Sequence, residues 1–258
     1  MLSDIQKQIL QAVADMADIP KGAVNIRSDG KKHFRQNTDH IRIESKTDKD
    51  GIDIHIDPFT KNESVHIPVV LTQSGFHDHV YNDFYIGEGA EVTIVAGCGI
   101  HNCGGVDMTS RHDGVHTFHV GKNAKVKYVE KHYGDGDGTG ERIMNPQTVI
   151  FLAEGATMEM ESTQIKGVDS TDRKTTATLA DRATLIVHEK LMTHGKQFAI
   201  TEFEIDLNGE GCATHAVSRS VAARLRREAI RMLPLASTCS VRVTEATARE
   251  ARKISSSS

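Results

Sequence analysis

The chain has 258 residues, a formal net charge of −4, 38% hydrophobic residues and no Trp. This length is enough for one large domain with a buried core, and the small negative charge gives no electrostatic reason to expect binding to nucleic acid or to an anionic membrane. No apolar run approaches the roughly 18 residues of a membrane-spanning helix, and four cysteines are too few for a disulfide framework. These features predict a cytoplasmic protein.

A short amphipathic helix is predicted within residues 1–20. Ser3 and Gln6 have the spacing of a capping box, in which each side chain accepts a hydrogen bond from the other's backbone amide. Apolar residues then recur at helical spacing until Pro20, which ends the element: Ile5, Ile9, Val13 and Met16.

From Val24 the pattern changes to an alternation of apolar and polar residues, as in "IRIESK", "GIDIHIDP" and "SVHIPVVL". Gly, Asp, Asn and Pro separate these runs, which is typical of strands joined by turns. The alternation continues for almost two hundred residues without a helical interruption. It predicts an all-β core domain over residues 21–221.

Four segments of this region repeat one pattern: "DFYIGEGAEVTIV", "HTFHVGKNAKVKYV", "TVIFLAEGATMEME" and "TATLADRATLIVH". Each contains an alternating run, three turn residues, an alanine and a second alternating run. The alanines are Ala90, Ala124, Ala156 and Ala183, at spacings of 34, 32 and 27 residues. In a fifth, weaker unit, "FEIDLNGEGCATH", Gly211 takes the alanine position. A unit of this length cannot bury its apolar face alone, so the copies are expected to stack.

Two architectures satisfy this repeat, a parallel β-helix and a sandwich of irregular hairpins. Residues two apart on a strand share a face, so stacked units would align their apolar residues in columns such as Phe84, Phe118 and Ile150. The alanine recurs in every unit although the units differ in length. This combination favours the β-helix, because extra residues in a longer unit can loop out from one side of its coil. We therefore predict an all-β parallel β-helix preceded by a short helix.

Residues 222–258 differ from the rest of the chain. They contain no glycine and no aromatic residue, and they hold seven arginines against three glutamates. One interpretation is a basic tail that is helical or disordered. The other is that this segment is not the domain's native ending and arose from a reading-frame change or a truncation.

Several long motifs together resemble the SufB/SufD family of iron–sulfur cluster assembly proteins, in particular its short single-chain prokaryotic members. They are "VAGCGIHN", "HDGVHTFHVGKNAKVKYVEKHYGDGDGTGERIMNP", "QIKGVDSTDRKT" and "DLNGEGCATHAVSRSVA", and the resemblance covers about residues 5–222. It implies a right-handed parallel β-helix, which agrees with the general bias of parallel crossovers. It also implies a cytosolic scaffold subunit that works with a SufC-like ABC-type ATPase.

Further expectations about partners and cargo follow from the resemblance. The β-helix is expected to pair with a homologous subunit or with a second copy of itself, while the net charge of −4 predicts binding to neither nucleic acid nor membrane. An iron–sulfur cluster is expected to be held transiently if at all, and no tightly bound cofactor is expected. Residues 222–258 do not resemble the family's further coils or its ATPase-docking segment, so that segment is expected to be missing and Cys239 receives no role.

Cys98, His101 and Cys103 form the candidate metal site, in the stretch "VAGCGIHNCGG". Thiolate and imidazole are suited to zinc, copper(I) or iron–sulfur species, and His112 or His116 would complete a ligand set. The spacing is not that of a structural zinc site, which takes four ligands as two separated pairs. The alternative is a glycine-rich turn with one buried and one exposed thiol.

The alternation of strand faces gives expectations for three other histidines. His77 and His79 are two apart and share a face, where they would bind a metal only with a further ligand. His116 falls in register with Asn82 and Thr148, which predicts an inward histidine with a hydrogen-bonded partner.

The predicted function is that of a non-enzymatic scaffold. Two alternatives stay open: a β-helix enzyme with a His/Cys metal site, and a plain protein-interaction module. The enzyme would need three converging histidines, or a cluster of acidic and basic side chains on one outward face.

Overall fold

The computed structural model describes residues 2–104, 108–223 and 236–243. In this part of the chain one helix, α1 (Asp4–Ala14), precedes 17 strands. In chain order the strands are β1 (Ala23–Ser28), β2 (Lys31–Gln36), β3 (Ile41–Ser45), β4 (Gly51–Ile56), β5 (Lys61–Leu71), β6 (His77–Ile86), β7 (Glu91–His101), β8 (Ser110–Val120), β9 (Lys125–Asp135), β10 (Arg142–Met144), β11 (Gln147–Leu152), β12 (Thr157–Lys166), β13 (Ser170–Leu179), β14 (Thr184–His194), β15 (Phe198–Leu207), β16 (Ala213–Ala223) and β17 (Ala236–Val243).

The strands form two sheets that face each other across a common interior. One sheet has the order β16-β14-β12-β9-β7-β5-β1-β2, and the other has the order β17-β15-β13-β10-β8-β6-β4-β3, with β11 bonded to β8 and β13. From β5 onward the chain alternates between the sheets, except that the consecutive strands β10 and β11 both lie in the second sheet, and each strand pairs in parallel with the strand one coil away. Only the two N-terminal hairpins among the described strands are antiparallel. This topology confirms the parallel β-helix and excludes the sandwich of hairpins.

Helix α1 is present where the sequence predicts it. Ser3 accepts from the Gln6 amide and Gln6 accepts from the Ser3 amide, which completes the capping box. The helix ends at Ala14, before the expected Pro20, because Asp15 adopts a left-handed conformation with φ 53°. Its buried residues pack on the outer face of the first sheet.

The four predicted alanines stand at the corners of successive coils, and each is fully buried. Hydrogen bonds join each corner to the corner of the next coil. The backbone amide of the residue just after one corner donates to the backbone carbonyl of the alanine at the previous corner. These bonds, 2.7 to 2.9 Å long, join Lys125 to Ala90, Thr157 to Ala124, Thr184 to Ala156 and Ala213 to Ala183. The alanines therefore lie one above another, as the repeat predicts.

The fifth corner corrects the predicted register by one residue. The bond from Ala213 to Ala183 makes Cys212 the corner residue, so the assignment of Gly211 to the alanine position is wrong. Four residues, instead of three, separate Leu207 from this corner. Gly211 has φ 67° and takes the left-handed position that Arg182 occupies before Ala183.

Most strands of the coils have an apolar half and a polar half. The predicted apolar columns fill the half next to the alanine corner, where Phe84 and Phe118 stack with ring centroids 4.3 Å apart. Farther from that corner the inward positions carry polar side chains that are nonetheless buried: Asp78, His112, His116, Glu130, His132, Arg173 and Glu189. The interior therefore has an apolar side next to the alanine corner and a polar side farther from it. A second, smaller apolar cluster lies beside the polar residues: Val69, Leu71, Cys98, Ile100, Met144 and Val168.

The C-terminal segment differs in part from its prediction. Strand β16 extends through Ala223, and Ala236–Val243 form β17, which pairs in parallel with β15. This part of residues 222–258 is thus a strand, neither helical nor disordered, because the alternating stretch "ASTCSVRV" pairs with the exposed edge of β15. The rest of the predicted tail lies outside the described residues.

In the described ranges, no helix is both long enough and apolar enough to cross a membrane.

Candidate functional site

The glycines around Cys98 belong to strand β7, which continues to His101, and they allow α1 to approach the sheet. Gly97 and Gly99 face the helix. A Cβ atom at Gly97 would lie 2.3 Å from the Val13 carbonyl oxygen, and one at Gly99 would lie 2.0 Å from Ile9 Cγ2. The first part of this glycine-rich stretch is therefore a helix-packing surface, and the chain leaves the strand only after His101.

Cys98 lies between these two glycines and therefore points into the β-helix. It is 3% exposed and packs among apolar side chains that include Val69, Ile100 and Met144. Burial raises the pKa of its thiol well above the usual value, and the nearby carboxylates of Asp78 and Glu130 raise it further. Cys98 is thus held as a neutral, water-shielded thiol.

His101 and Cys103 lie elsewhere. His101 Nδ1 is 2.7 Å from Asp135 Oδ1, and Cys103 is an exposed residue whose backbone bonds to the Ser74 hydroxyl. One thiol is buried and one is exposed, as the alternative interpretation predicts. Within residues 2–104, 108–223 and 236–243, no three His, Cys, Asp or Glu side chains are grouped to hold a metal ion. The metal site of Cys98, His101 and Cys103 stays a prediction.

Cys98 lines a small cavity in the polar side of the interior. The volume is about 20 Å³, close to the space that one water molecule needs. The other polar side chains on its wall are His112, His116, Glu130 and His132. A thiol, three imidazoles and a carboxylate line this cavity, although these side chains are not grouped as a preformed metal site, and it is the candidate functional site.

His112 is held by a carboxylate on the neighbouring strand. Its Nδ1 lies 3.1 Å from Asp78 Oδ2, and Arg27 Nη2 lies 2.8 Å from Asp78 Oδ1. Burial opposes the charged form of Asp78, but the hydrogen bonds from His112 and Arg27 outweigh it and lower the pKa of this carboxyl to about 2. Asp78 is therefore ionised, and His112 Nδ1 carries the proton of this hydrogen bond.

His116 confirms the predicted inward histidine. It pairs in register with Asn82 and Thr148, and its Nε2 lies 3.2 Å from the Asn82 amide nitrogen. Its Nδ1 lies 2.7 Å from the Tyr128 hydroxyl oxygen. Burial lowers the pKa of His116 to about 4, so the ring is neutral near pH 7.

A buried ionic network continues from Tyr128 along the polar side. The Tyr128 hydroxyl donates to Glu130 over 3.1 Å, and the fully buried Arg173 pairs with Glu130 and with Glu189, the latter at 3.3 Å. Arg173 also donates to His132 Nδ1 over 3.2 Å. Burial opposes ionisation of Glu130, but Arg173 and His132 hold its pKa well below the usual range.

The network reaches the last coils through Glu189. Glu189 accepts hydrogen bonds from Thr201 over 3.0 Å and from the exposed Ser218 over 2.6 Å. Hydrogen bonds and ion pairs thus connect Asn82 on β6 with Ser218 on β16.

Sequence analysis missed this polar side, although a signal for it was present. The inward register that begins with Val126 and Tyr128 continues, two residues at a time, to Glu130 and His132. Following the period through the full strand would have placed these polar residues inside.

The outer face of the second sheet carries a ladder of rings. His55, Tyr85, His119 and Phe151 stack at centroid distances of 4.9, 5.1 and 5.3 Å along an open groove of about 760 Å³. Tyr85 and Phe151 in this ladder are 39% and 43% exposed. His77 and His79 are exposed and share a face as predicted, and His79 stacks on Tyr81.

Comparison with models of known protein families gives one match. Residues 71–231, more than half of the chain, match the family described as SUF system FeS cluster assembly, SufBD core domain. The matched segment includes Cys98, the Asp78–His112 pair and the network from Asn82 to Ser218, and it extends beyond residue 222, where the sequence resemblance ended. A search of curated proteins finds no match.

Proposed function

Because the chain belongs to the SufBD core-domain family of the SUF iron–sulfur cluster assembly system, we propose that it acts there as a non-enzymatic scaffold subunit in the cytoplasm. A scaffold of this kind holds iron, sulfur or a nascent cluster as cargo and presents it to partner proteins. The chain's own residues would supply ligands and shielding, while ATP hydrolysis would occur on a separate subunit.

The observation that carries the proposal is the interior cavity around Cys98. Sulfur and imidazole nitrogen are the donors that iron–sulfur species prefer, and here they meet inside the segment that matches the family. The cavity of about 20 Å³ has room for a single small species and none for an assembled cluster. This size favours transient handling of cargo over permanent storage.

Two partners complete the proposal. The sequence has no glycine-rich phosphate loop followed by Lys and Ser or Thr, so a SufC-like ABC-type ATPase would bind and hydrolyse ATP. Among the described strands, β16 and β17 end the two sheets. Their unpaired backbone groups suit pairing with a homologous β-helix subunit or with a second copy of this chain.

The alternative of a β-helix enzyme has less support. On the outer face His55 and His119 are separated by Tyr85, and the interior imidazoles of His112, His116 and His132 are each bonded to a different partner. The three interior histidines line one cavity, but each ring is already held by a different partner.

Anaerobic reconstitution with iron and sulfide, followed by visible absorbance and bound iron, tests the cargo-holding role. We expect the parent chain to bind iron and develop thiolate-to-iron absorbance, Cys98→Ser to lose most of both, and Cys103→Ser to keep them. Cys103 is the matched control because its thiol is exposed. Equal absorbance in Cys98→Ser would rule out the interior site, and a parent chain that binds no iron would rule out cargo binding.

A pull-down with the cognate ABC-type ATPase tests the partner. Residues 222–258 do not resemble the family's docking segment, so we expect the chain alone to bind weakly. Binding should strengthen when a homologous β-helix subunit that carries such a segment is added. Failure to associate under both conditions would contradict the partnership.

A further inference from the structure

The buried thiol of Cys98 needs a proton acceptor before it can bind cargo. A thiolate, and not a thiol, is the form that binds metal ions or attacks sulfur. Cys98 is 3% exposed and faces a cavity about the size of one water molecule. Little bulk water reaches the thiol in this arrangement, so the nearest proton acceptors belong to the cavity wall.

Three of the four candidate acceptors on the wall are already occupied. Glu130 accepts from Tyr128 at one oxygen and from Arg173 and Ser162 at the other. His116 Nε2 accepts from the Asn82 amide, so the proton of this neutral ring is on Nδ1.

His132 is also occupied. Its Nδ1 accepts from the Arg173 guanidinium, so its ring proton is on Nε2, which lies 3.6 Å from Glu130 Oε1.

His112 is the imidazole with a free lone pair. Its Nδ1 donates to the ionised Asp78, which leaves Nε2 unprotonated in the neutral ring. No hydrogen bond joins Nε2 to another described residue, although His112 is only 6% exposed. A Cβ atom at Gly114 would lie 3.1 Å from this nitrogen. The missing side chain at residue 114 therefore keeps the space in front of Nε2 open.

We propose that His112 Nε2 takes the Cys98 proton when the thiol binds its cargo, with Asp78 and Arg27 positioning the imidazole. The inference rests on the proposed scaffold function, because it assigns the acid–base group of the same cavity. The S–H bond breaks, its electron pair stays on sulfur and forms the bond to the incoming thiophilic atom, and the proton moves to Nε2.

The surrounding charges favour this direction of transfer only when cargo is present. The titratable side chains around His112 are Asp78 on β6, Cys98 on β7, Glu130 and His132 on β9 and His116 on its own strand. Two further residues of the cavity wall, Met144 and Pro146, are uncharged. The carboxylates of Asp78 and Glu130 disfavour a free thiolate at Cys98. A soft cation or a new S–S bond removes the negative charge from sulfur, so ligation and proton transfer support each other.

The test uses the full chain with Cys103→Ser, Cys212→Ser and Cys239→Ser, so that Cys98 is the single thiol. Methyl methanethiosulfonate is the probe: Cys98 sulfur bonds to its thiomethyl group, methanesulfinate leaves, and His112 takes the thiol proton. Intact mass gives the labelling rate between pH 6 and 9. We expect His112→Gln to slow labelling by at least about tenfold near pH 7, the lower range for loss of a positioned base, and to shift the profile toward alkaline pH.

His116→Gln is the matched control, since it replaces a buried imidazole on the same strand whose lone pair is already occupied. We expect its labelling rate to stay within about threefold of the parent, an effect well below that of a lost base. Added imidazole should restore much of the rate to His112→Gly. Asp78→Asn, which keeps the imidazole but removes its carboxylate, should slow labelling by a smaller factor, and it provides the measurement if the His112 variants do not fold.

Unchanged labelling in His112→Gln, equal slowing in His116→Gln, or no imidazole rescue in a folded His112→Gly would each overturn the assignment. If only Asp78→Asn can be measured, an unchanged rate would do the same. Labelling needs no iron, sulfide or partner, so its failure would leave the scaffold proposal standing. Conversely, a chain that fails reconstitution could still show the His112-dependent labelling.

Discussion

At the scale of single residues, the feature with the largest free-energy cost is the charge buried in the polar side of the interior. Arg173 is fully buried between Glu130 and Glu189, and both carboxylates are also shielded from water. Removing charged groups from water is expensive, and the ion pairs repay that cost only because the remaining hydrogen-bonding atoms of the carboxylates are satisfied by Tyr128, Thr201 and Ser218. Such a network is stable as a whole and vulnerable to loss of any one member.

Arg173→Met should therefore destabilise the protein severely. The substitution keeps much of the side-chain volume but leaves two buried carboxylates without their cation, which costs about 3–5 kcal/mol. Urea unfolding at pH 7 measures the change in the free energy of unfolding. Arg182→Met is the matched control, because Arg182 pairs with Glu154 on the surface and such pairs contribute about 0–1 kcal/mol. A loss at Arg173 no larger than that at Arg182 would contradict the network's role.

At the scale of elements, strand β7 shows how one segment serves two surfaces. Its even-numbered residues, including Cys98, line the interior, while Gly97 and Gly99 on the other face receive α1. The contacts differ in kind: Gly99 is close to the Ile9 side chain, whereas Gly97 is close to the Val13 backbone. The two glycines should therefore respond differently to compensating substitutions.

Gly99→Ala should destabilise the docked helix by about 1–3 kcal/mol, the usual cost of overpacking, and Ile9→Ala should relieve part of that clash. A double-mutant cycle measured by urea unfolding should give a favourable coupling of at least about 0.5 kcal/mol. Gly97→Ala with Val13→Ala should show little coupling, since the Val13 carbonyl oxygen stays in place. Equal coupling in both pairs would contradict the geometry of this contact.

The sequence predicts the apolar half of these strands well and the polar half poorly, for a physical reason. Alternation and a repeated alanine are local signals, so they place Ala156 at a corner and Phe84 above Phe118 without knowledge of the fold. For a buried charge the strand period and the residue type conflict. Alternation puts Glu130 in the inward register, but a glutamate is expected to be buried there only if a partner such as Arg173, 43 residues later, is placed opposite it. The one-residue insertion that puts Cys212 at a corner likewise becomes visible only through coil pairing.

For the whole molecule, the two sides of the interior have different consequences. The apolar columns stack each coil on its neighbour, as in other repeat proteins. The polar side adds hydrogen bonds that span several coils, from Asn82 on β6 to Ser218 on β16. Its histidines make the stability of the solenoid depend on pH, because protonation of a buried ring in one coil disturbs the bonds that link it to others.

Stability should fall between about pH 6.5 and pH 4. Burial lowers the pKa of His116 from 6.5 to about 4 and lowers that of His132 as well. The folded state therefore binds fewer protons than the unfolded state, and the stability present above pH 6.5 is lost as the pH falls toward the folded value. For His116 alone this loss amounts to about 3 kcal/mol. The low pKa of Asp78 has the same sign, but most of its effect falls below about pH 4.

Urea midpoints measured from pH 7.5 to pH 4.5 check this expectation. His116→Gln should flatten the decline, since its side chain does not titrate, while His119→Gln on the exposed outer face should leave the slope unchanged. Because the network ties coils from β6 to β16, one cooperative transition should shift, observed equally by circular dichroism and by Tyr fluorescence. A parent chain with constant stability over this range would mean that the interior histidines are already solvated, and the closed polar side described here would be incorrect.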